Sequence, residues 1–423
     1  MPGKLMTQAH TDFWKFWTGQ AISNLGSSFT GFALPLLIFK LTYSPLNLAF
    51  TSALNILPHL LFGLFIGAWA DRVNRKGLMI FTDIARALVI ALLPLLALTN
   101  LLTVWWIYVA TFVNATLSIF FETCEFAAIS SLVDQDNLVQ ANGRIQASYS
   151  TATILGPLLA GVLTAVLPLP QLLFIDALSF LISAGSLLLI ATSFNANADQ
   201  AAFSDKEAKS VFSDMLEGMR YIWNHSLLRT IVMMLTLTNF LTITPAAQLV
   251  AFAKQRFHAS DVQVGLLYAA GGAGVIVLSL ISNRLWQRFS FVKLALGSLT
   301  LSGLMILCMA LTRWYWTTLP LWALFSGLGT LFNIIIYSLV QTIVPNKLLG
   351  RAISFGRTLA WLAVPLGALA GGLAIEQIKN IALIYVVIGV LNILIPLVFS
   401  FMIANRVEPY LHPDDMGPTT IIP

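Results

Sequence analysis

Glu122 and Glu125 stand three residues apart inside an otherwise apolar run, Asp83 and Arg86 repeat that spacing in an earlier run, and Asp176 sits alone in a third. Three residues is close to one helical turn, so the members of each pair share a helix face. Two carboxyls on one face can hold a single proton between them, and the protons then belong to the pair. Glu122 and Glu125 are therefore the first choice for moving a proton, the structural alternative being that either one pairs with Arg86 or with basic loop residues. Asp83 and Arg86 have opposite signs and partly neutralise each other, which favours a structural role over proton carriage. Asp176 either bonds to neighbouring backbone or lines an outer vestibule. The sequence has no glycine loop of the nucleotide-binding type, no metal-ligand cluster and no nucleophile with a base, so no catalytic residue, metal or cofactor is expected. Cys124 and Cys308 lie inside apolar runs and read as small buried hydrophobes, and His59 reads as structural.

A carboxyl is a useful proton carrier only where its charge is expensive, and composition says that this chain has such a place. Of 423 residues, 58% are hydrophobic and 10% charged, with a mean hydropathy of +0.83. So much apolar surface cannot be hidden in a water-soluble core, and the chain is an integral membrane protein. A spanning helix needs about 20 apolar residues, because the hydrocarbon layer is about 30 Å thick and each residue rises about 1.5 Å. Twelve segments qualify, near 14–39, 47–70, 77–98, 102–131, 145–167, 170–193, 228–252, 262–283, 291–312, 315–341, 352–374 and 380–404. They lack period-two alternation, which excludes a β-barrel. The N-terminus lacks the features of a removable signal peptide, so its first apolar segment is expected to stay as a helix.

If the N-terminus is cytoplasmic, the outer loops hold only Lys40, Lys254, Arg256, Arg313 and Lys379 of the 23 basic residues. That asymmetry is the positive-inside pattern and puts both termini in the cytoplasm, in the cell membrane; the net charge of +5 reflects topology, with no nucleic-acid partner implied. Trp105, Trp106 and Tyr108 open the fourth span, and Trp314, Tyr315 and Trp316 the tenth, as interfacial anchors. Between the sixth and seventh spans the sequence turns polar and alanine-rich. Ser204 and Glu207 then have capping-box spacing, and Phe212, Met215, Leu216, Met219, Ile222 and Trp223 recur at helical intervals, the pattern of an amphipathic surface helix. The expected organisation is a six-helix bundle over 1–193, a cytoplasmic linker over 194–227, a second bundle over 228–404 and a cytoplasmic tail over 405–423. The halves echo each other. Asp71-Arg72-x-x-Arg75-Lys76 is answered by Asn283-Arg284-x-x-Gln287-Arg288, and Gly143-Arg144 with Pro157 and Gly161 by Gly350-Arg351 with Pro365 and Gly367. Duplicated halves of this kind are a transporter design.

Gly67-x-x-x-Asp71-Arg72-x-x-Arg75-Lys76 resembles the loop between the second and third helices of the major facilitator superfamily, and the resemblance extends over the whole chain. It implies an all-α membrane fold of twelve helices in two pseudo-symmetric bundles. Gly156, Pro157 and Gly161 in ILGPLLAG resemble the helix-5 motif of proton-coupled drug exporters. GQAISNLGSSFTGFALPLLIFKLTYSP, IDALSFLISA and LEGMRYIW are most similar to the branch of macrolide exporters and the enterobactin exporter.

The resemblance implies that Asp71 faces the start of the eleventh helix while Arg72, Arg75 and Lys76 meet acidic or phosphate groups, a latch that stabilises the outward-open state. Topology-setting charges are the alternative. Gly156, Pro157 and Gly161 would shape a tight contact with Gly271, Gly272 and Gly274 on the eighth helix, or else form an ordinary kink. Exporters of the superfamily often carry an arginine in the fourth helix; this one has none, so their proton relay is not transferred. The cavity-facing helices of such a fold would offer Asn24, Ser27, Ser28, Phe29, Asn114, Phe120, Asn239, Phe240, Gln248, Phe325, Asn333 and Tyr337, neutral and aromatic groups suited to a large, amphipathic or weakly cationic substrate. The expected function is export of amphipathic, drug-, macrolide- or siderophore-like compounds by proton antiport and alternating access, by a monomer among membrane lipids. The rivals are an importer or facilitator of a small metabolite and a lysophospholipid flippase. Asp71→Asn is expected to slow turnover while leaving substrate binding largely intact, as read by transport rate against a binding titration.

Overall fold

The computed structural model describes residues 2–70, 73–195 and 217–403, and every regular element among them is helical. In order these are α1 (Pro2–Thr42), α2 (Pro45–Ala70), α3 (Arg75–Leu98), α4 (Val104–Leu132), α5 (Leu138–Leu163), α6 (Leu172–Leu188), α7 (217–224), α8 (Ser226–Ala247), α9 (Leu249–Phe257), α10 (Asp261–Arg288), α11 (Phe291–Leu311), α12 (Tyr315–Ile343), α13 (Asn346–Ile378) and α14 (Ile381–Ile403). Apolar sequences of this length become helices because lipid offers no partner for backbone N–H and C=O groups, which must then bond within the segment. Among the described residues, eleven helices are long and apolar enough to cross a membrane. The fifth expected span does form a helix, α5, of 26 residues. Its first half carries Gln140, Asn142, Arg144, Gln146, Ser148 and Ser150, which hold its hydropathy below that of the others.

Two further boundaries differ from expectation. The segment expected over 228–252 is broken at Gln248 into α8 and α9. Pro245 sits just before the break, and its carbonyl takes the buried Tyr385 hydroxyl at 3.1 Å in place of a helical N–H. The Asn283–Arg288 echo of the loop motif lies in the last turns of α10, so it is helix and not loop. In the linker, Ser204, Glu207, Phe212, Met215 and Leu216 lie outside the described residues; on α7, Ile222 is buried while Met219 and Trp223 are exposed, so the three do not share one buried face. Helix ends are sharp. Asn74 caps α3 by accepting the Gly77 N–H at 3.0 Å, and His258 and Lys379 end α9 and α13 in the left-handed conformation.

Contacts divide the chain into two units, Met1–Ser204 with Ala247–Ala269, and Asp205–Ala246 with Ala270–Pro423. In the first unit α1 is the hub, packing on α4, α5 and α6, while α3 packs on α4 and α6 and α2 on α4. One end of its core is built by Phe13, Phe16, Met79, Phe121, Cys124 and Phe194. In the second unit α11 lies between α12 and α14, and α13 also contacts both; Ile231, Leu299, Leu331, Phe332 and Ile335 form its core.

The 247–269 stretch belongs to the first unit through specific bonds. Asp261 receives Lys40 of α1 at 2.5 Å and Lys254 of α9 at 2.6 Å, and Gln248 donates to the Pro45 carbonyl at 2.7 Å. A Cβ on Gly265 would lie 2.5 Å from the Pro157 carbonyl oxygen, and one on Gly161 3.3 Å from the Gly265 Cα. Thus the close partner of Pro157 and Gly161 is Gly265, about two turns ahead of the expected partners. Gly271 and Gly274 approach Trp322 and Ala323 of α12 instead, because the turn of α10 carries them to another face. Gly265→Ala is expected to cost about 1–3 kcal/mol by overpacking, seen as a lower thermal midpoint in detergent. Gly185→Ala, with nothing within 4 Å of the added carbon, should not lower it. Asp261→Asn removes the negative charge that two lysines share and is expected to raise amide exchange in α9 severalfold, more than Lys40→Ala does.

Candidate functional site

The chemistry of the first unit centres on α4. Glu125 is 6% exposed; its Oε2 accepts the Tyr149 hydroxyl of α5 at 3.0 Å, and its Oε1 is buried with no hydrogen-bond partner. Glu122, one turn earlier, is exposed on the wall of a cavity of about 440 Å³ that also reaches Glu125, Asn142 and Gln146. The two glutamates thus share one polar cavity, as their spacing suggested. They differ in role: Glu122 faces open space, whereas Glu125 is held by a neutral hydroxyl.

Asp83 and Arg86 do not form an ion pair. Arg86 reaches across to α4, donating from Nε to Asn114 Oδ1 at 3.1 Å, and its guanidinium lies 4.0 Å from the centre of the Phe180 ring of α6. A guanidinium over an aromatic face keeps part of the stabilisation that a carboxylate would have given. Asp83 is fully buried on α3, with neither carboxylate oxygen hydrogen-bonded; Ser183 and Arg86 bear on it electrostatically from outside bonding geometry. Asp176 is also fully buried, and it bonds to side-chain hydroxyls where backbone or an outer vestibule was expected. Its Oδ1 accepts Ser27 at 3.4 Å and Ser179 at 3.2 Å, and its Oδ2 accepts Thr30, which fastens α6 to α1.

The loop motif divides in two. Gly67 is in α2, while Asp71 and Arg72 lie outside the described residues. Arg75 Nη1 donates to the Phe194 carbonyl at 3.2 Å and Lys76 Nζ to the Ile190 carbonyl at 2.5 Å, so both cations bond to backbone after α6. Asn195 returns two bonds, accepting the Arg75 N–H at 3.1 Å and donating to the Val73 carbonyl at 2.8 Å. From α1, buried Asp12 accepts the N–H groups of Ala191 and Thr192 at 2.9 and 3.0 Å. The stretch after α6 is therefore pinned by charged side chains from two sides.

The second unit holds a cavity of about 510 Å³. Among its walls are Asn239 and Thr242 of α8, Ser326, Asn333 and Tyr337 of α12 and Trp361 of α13. Among the described residues, no ionisable acid or base other than the Tyr337 phenol lines it, so these offer hydrogen bonds and aromatic faces without fixed charge. Asn239, Asn333, Tyr337 and Phe325, expected on a midplane cavity facing both halves, line this cavity of the second unit. The α1 candidates are committed elsewhere: Ser27 to Asp176, Ser28 to the Leu25 carbonyl and the face of Gly156, and Phe29 to the core. The Asn24 amide nitrogen is buried without a hydrogen-bond partner. Asn114 serves Arg86 and Gln248 serves Pro45. Sequence reasoning missed Trp361, Trp322 and the Thr238/Thr242 pair. The i, i+4 threonines beside Asn239 were a legible polar stripe; Trp361 was not, because its helix was not expected to face a cavity.

The model of the transmembrane secretion effector family, MFS_3, matches residues 4–412. Macrolide efflux protein A of Streptococcus pyogenes is 25% identical over 381 residues, covering 86% of this chain and 90% of that protein. The multidrug efflux pump Tap of Mycolicibacterium fortuitum is 24% identical over 367 residues, covering 82% and 85%. Among solved structures, the nucleoside transporter NupG superposes with a TM-score of 0.77 at 13% identity, over 92% of this chain and 98% of that one. A bacterial homologue of ferroportin in its inward-facing state gives 0.71 at 15%, over 92% and 98%. A membrane fold of two helical units, with buried carboxyls in one and an open neutral cavity in the other, agrees with those matches: the chain belongs to the transmembrane secretion effector family of the major facilitator superfamily, and is a multi-pass membrane transporter.

Proposed function

We propose that this transporter exports amphipathic compounds by exchange for protons, by alternating access, in the cell membrane with both termini in the cytoplasm. The observation that carries the reading is Glu125: a buried carboxyl, bonded to a neutral tyrosine, in contact with a polar cavity. An intramembrane carboxylate is retained only where it has a task, and this one can exchange a proton with the cavity through Glu122 while Tyr149 holds it in place. The substrate would use the neutral cavity of the second unit, whose amides, hydroxyls and tryptophans suit a large molecule with scattered polar groups and little formal charge. The names of the macrolide and multidrug efflux relatives support the direction of transport and the broad substrate class.

The test is transport of a fluorescent amphipathic dye into inverted vesicles or proteoliposomes with an imposed pH gradient. The intact protein is expected to accumulate dye against its gradient. Glu125→Gln should abolish that accumulation, by at least tenfold, and leave dye equilibration in place. Tyr149→Phe should keep coupling but shift its pH profile, since the carboxyl loses its only hydroxyl partner. Accumulation in Glu125→Gln with unchanged pH dependence would remove Glu125 from the mechanism, and equilibration without accumulation by the intact protein would make it a facilitator.

A further inference from the structure

A second cavity in the second unit, of about 270 Å³, is open along the outside of α8 and belongs to neither the carboxyl cluster nor the neutral cavity. Met233 and Leu237 of α8, Leu359 of α13 and Phe399 of α14 make its apolar wall, and Trp223 of α7 and Arg229 stand at one end. Met233, Leu237 and Trp223 are 39%, 47% and 49% exposed, so the groove faces out of the protein and, on a membrane-spanning helix, into lipid. From Arg229 to Leu237 the groove runs eight residues along α8, about 12 Å at about 1.5 Å per residue, a stretch that accommodates part of an extended acyl chain.

The charge at its end selects the occupant. Arg229 gives one N–H to the Trp223 carbonyl at 3.2 Å, and no carboxylate pairs with it among the described residues. A guanidinium has five donors in a planar fork suited to phosphate. His225 beside it adds no competing charge: burial pulls its pKa below the ordinary histidine value, and its Nδ1 accepts the Leu228 N–H at 3.4 Å, which requires the unprotonated atom. Trp223 has the amphipathic ring that settles at headgroup level. A basic side chain and an interfacial tryptophan at the polar end of an apolar groove between helices is the arrangement that holds an anionic headgroup with its chain below.

We propose that this groove is a binding site for one anionic glycerophospholipid of the adjoining leaflet, its phosphate on Arg229 and an acyl chain between α8, α13 and α14. A lipid seated there would touch α7, where the linker enters the second unit, and three of that unit's spanning helices. It would fix the linker's end to those helices.

Trp223 is the reporter. The protein is reconstituted with phosphatidylglycerol or phosphatidylcholine carrying brominated chains, and the quenching that is lost in Trp223→Phe is assigned to Trp223. Brominated phosphatidylglycerol is expected to reach half-maximal quenching of that component at about fivefold lower mole fraction than phosphatidylcholine, the preference that one basic side chain near the surface confers. Arg229→Gln should erase the preference while leaving quenching by phosphatidylcholine unchanged, and Thr236→Trp, which fills the groove, should weaken quenching by both. Added inorganic phosphate should not compete, since the chain contributes to binding. Equal quenching by the two lipids, a preference that survives Arg229→Gln, or displacement by inorganic phosphate alone would each overturn the site. So would a Trp223 component that neither lipid quenches, the result expected if the linker itself fills the groove.

Discussion

Lipid supplies no hydrogen bonds, and the rest of this structure follows from that. Each span closes its own backbone bonds as helix, and where the helix breaks the freed group must find a substitute nearby. At the end of α8 the Pro245 carbonyl finds the Tyr385 hydroxyl. After α6, where the chain leaves helical geometry, the backbone is met by Asp12, Arg75 and Lys76, so that two N–H groups and two carbonyls are served by side chains from α1 and from the start of α3, and Asn195 in turn serves the backbone of Val73 and Arg75. The conspicuous basic cluster of the sequence is, in these bonds, the solution to a local backbone problem.

The same constraint sorts the charged residues of the first unit by how each is accommodated. Arg86 uses an amide and an aromatic face, Asp176 three hydroxyls, and Glu125 one hydroxyl and the edge of a cavity. Asp83 has no hydrogen bond at all. A carboxyl surrounded by hydroxyl donors is held in place, and Asp176 joins α1 to α6 as a structural element. A carboxyl with one neutral partner and access to a polar cavity can change protonation without tearing a network apart, which is why the proposed coupling role goes to Glu125 and not to Asp176. Under the proposed exchange, a second-unit cavity lined by no carboxyl among the described residues would leave proton exchange and substrate to different side chains.

Close backbone approach is the other device. Gly265 lets α10 lie against Pro157 and Gly161 of α5, and small residues at such crossings give helices in lipid the packing that hydrophobic burial cannot. The three-way contact of Lys40, Lys254 and Asp261 at the adjoining ends holds the same stretch by charge, in a setting partly open to water where each pair alone is weak.

Composition and periodicity alone determined that the chain is a helical membrane protein, where nearly all its helices run, and that Glu122 and Glu125 share a face. Those features depend on solvent and on spacing along one helix, which a sequence records directly. The tertiary structure alone decided that Arg86 turns from Asp83 to Asn114 and Phe180, that Gly265 is the glycine opposite Pro157, that Tyr149 holds Glu125, and that Trp361 lines the neutral cavity. Each of these depends on which faces of two separate helices meet. Helix–helix rotation and register are set by the packing of many side chains together, and no short window of sequence encodes them.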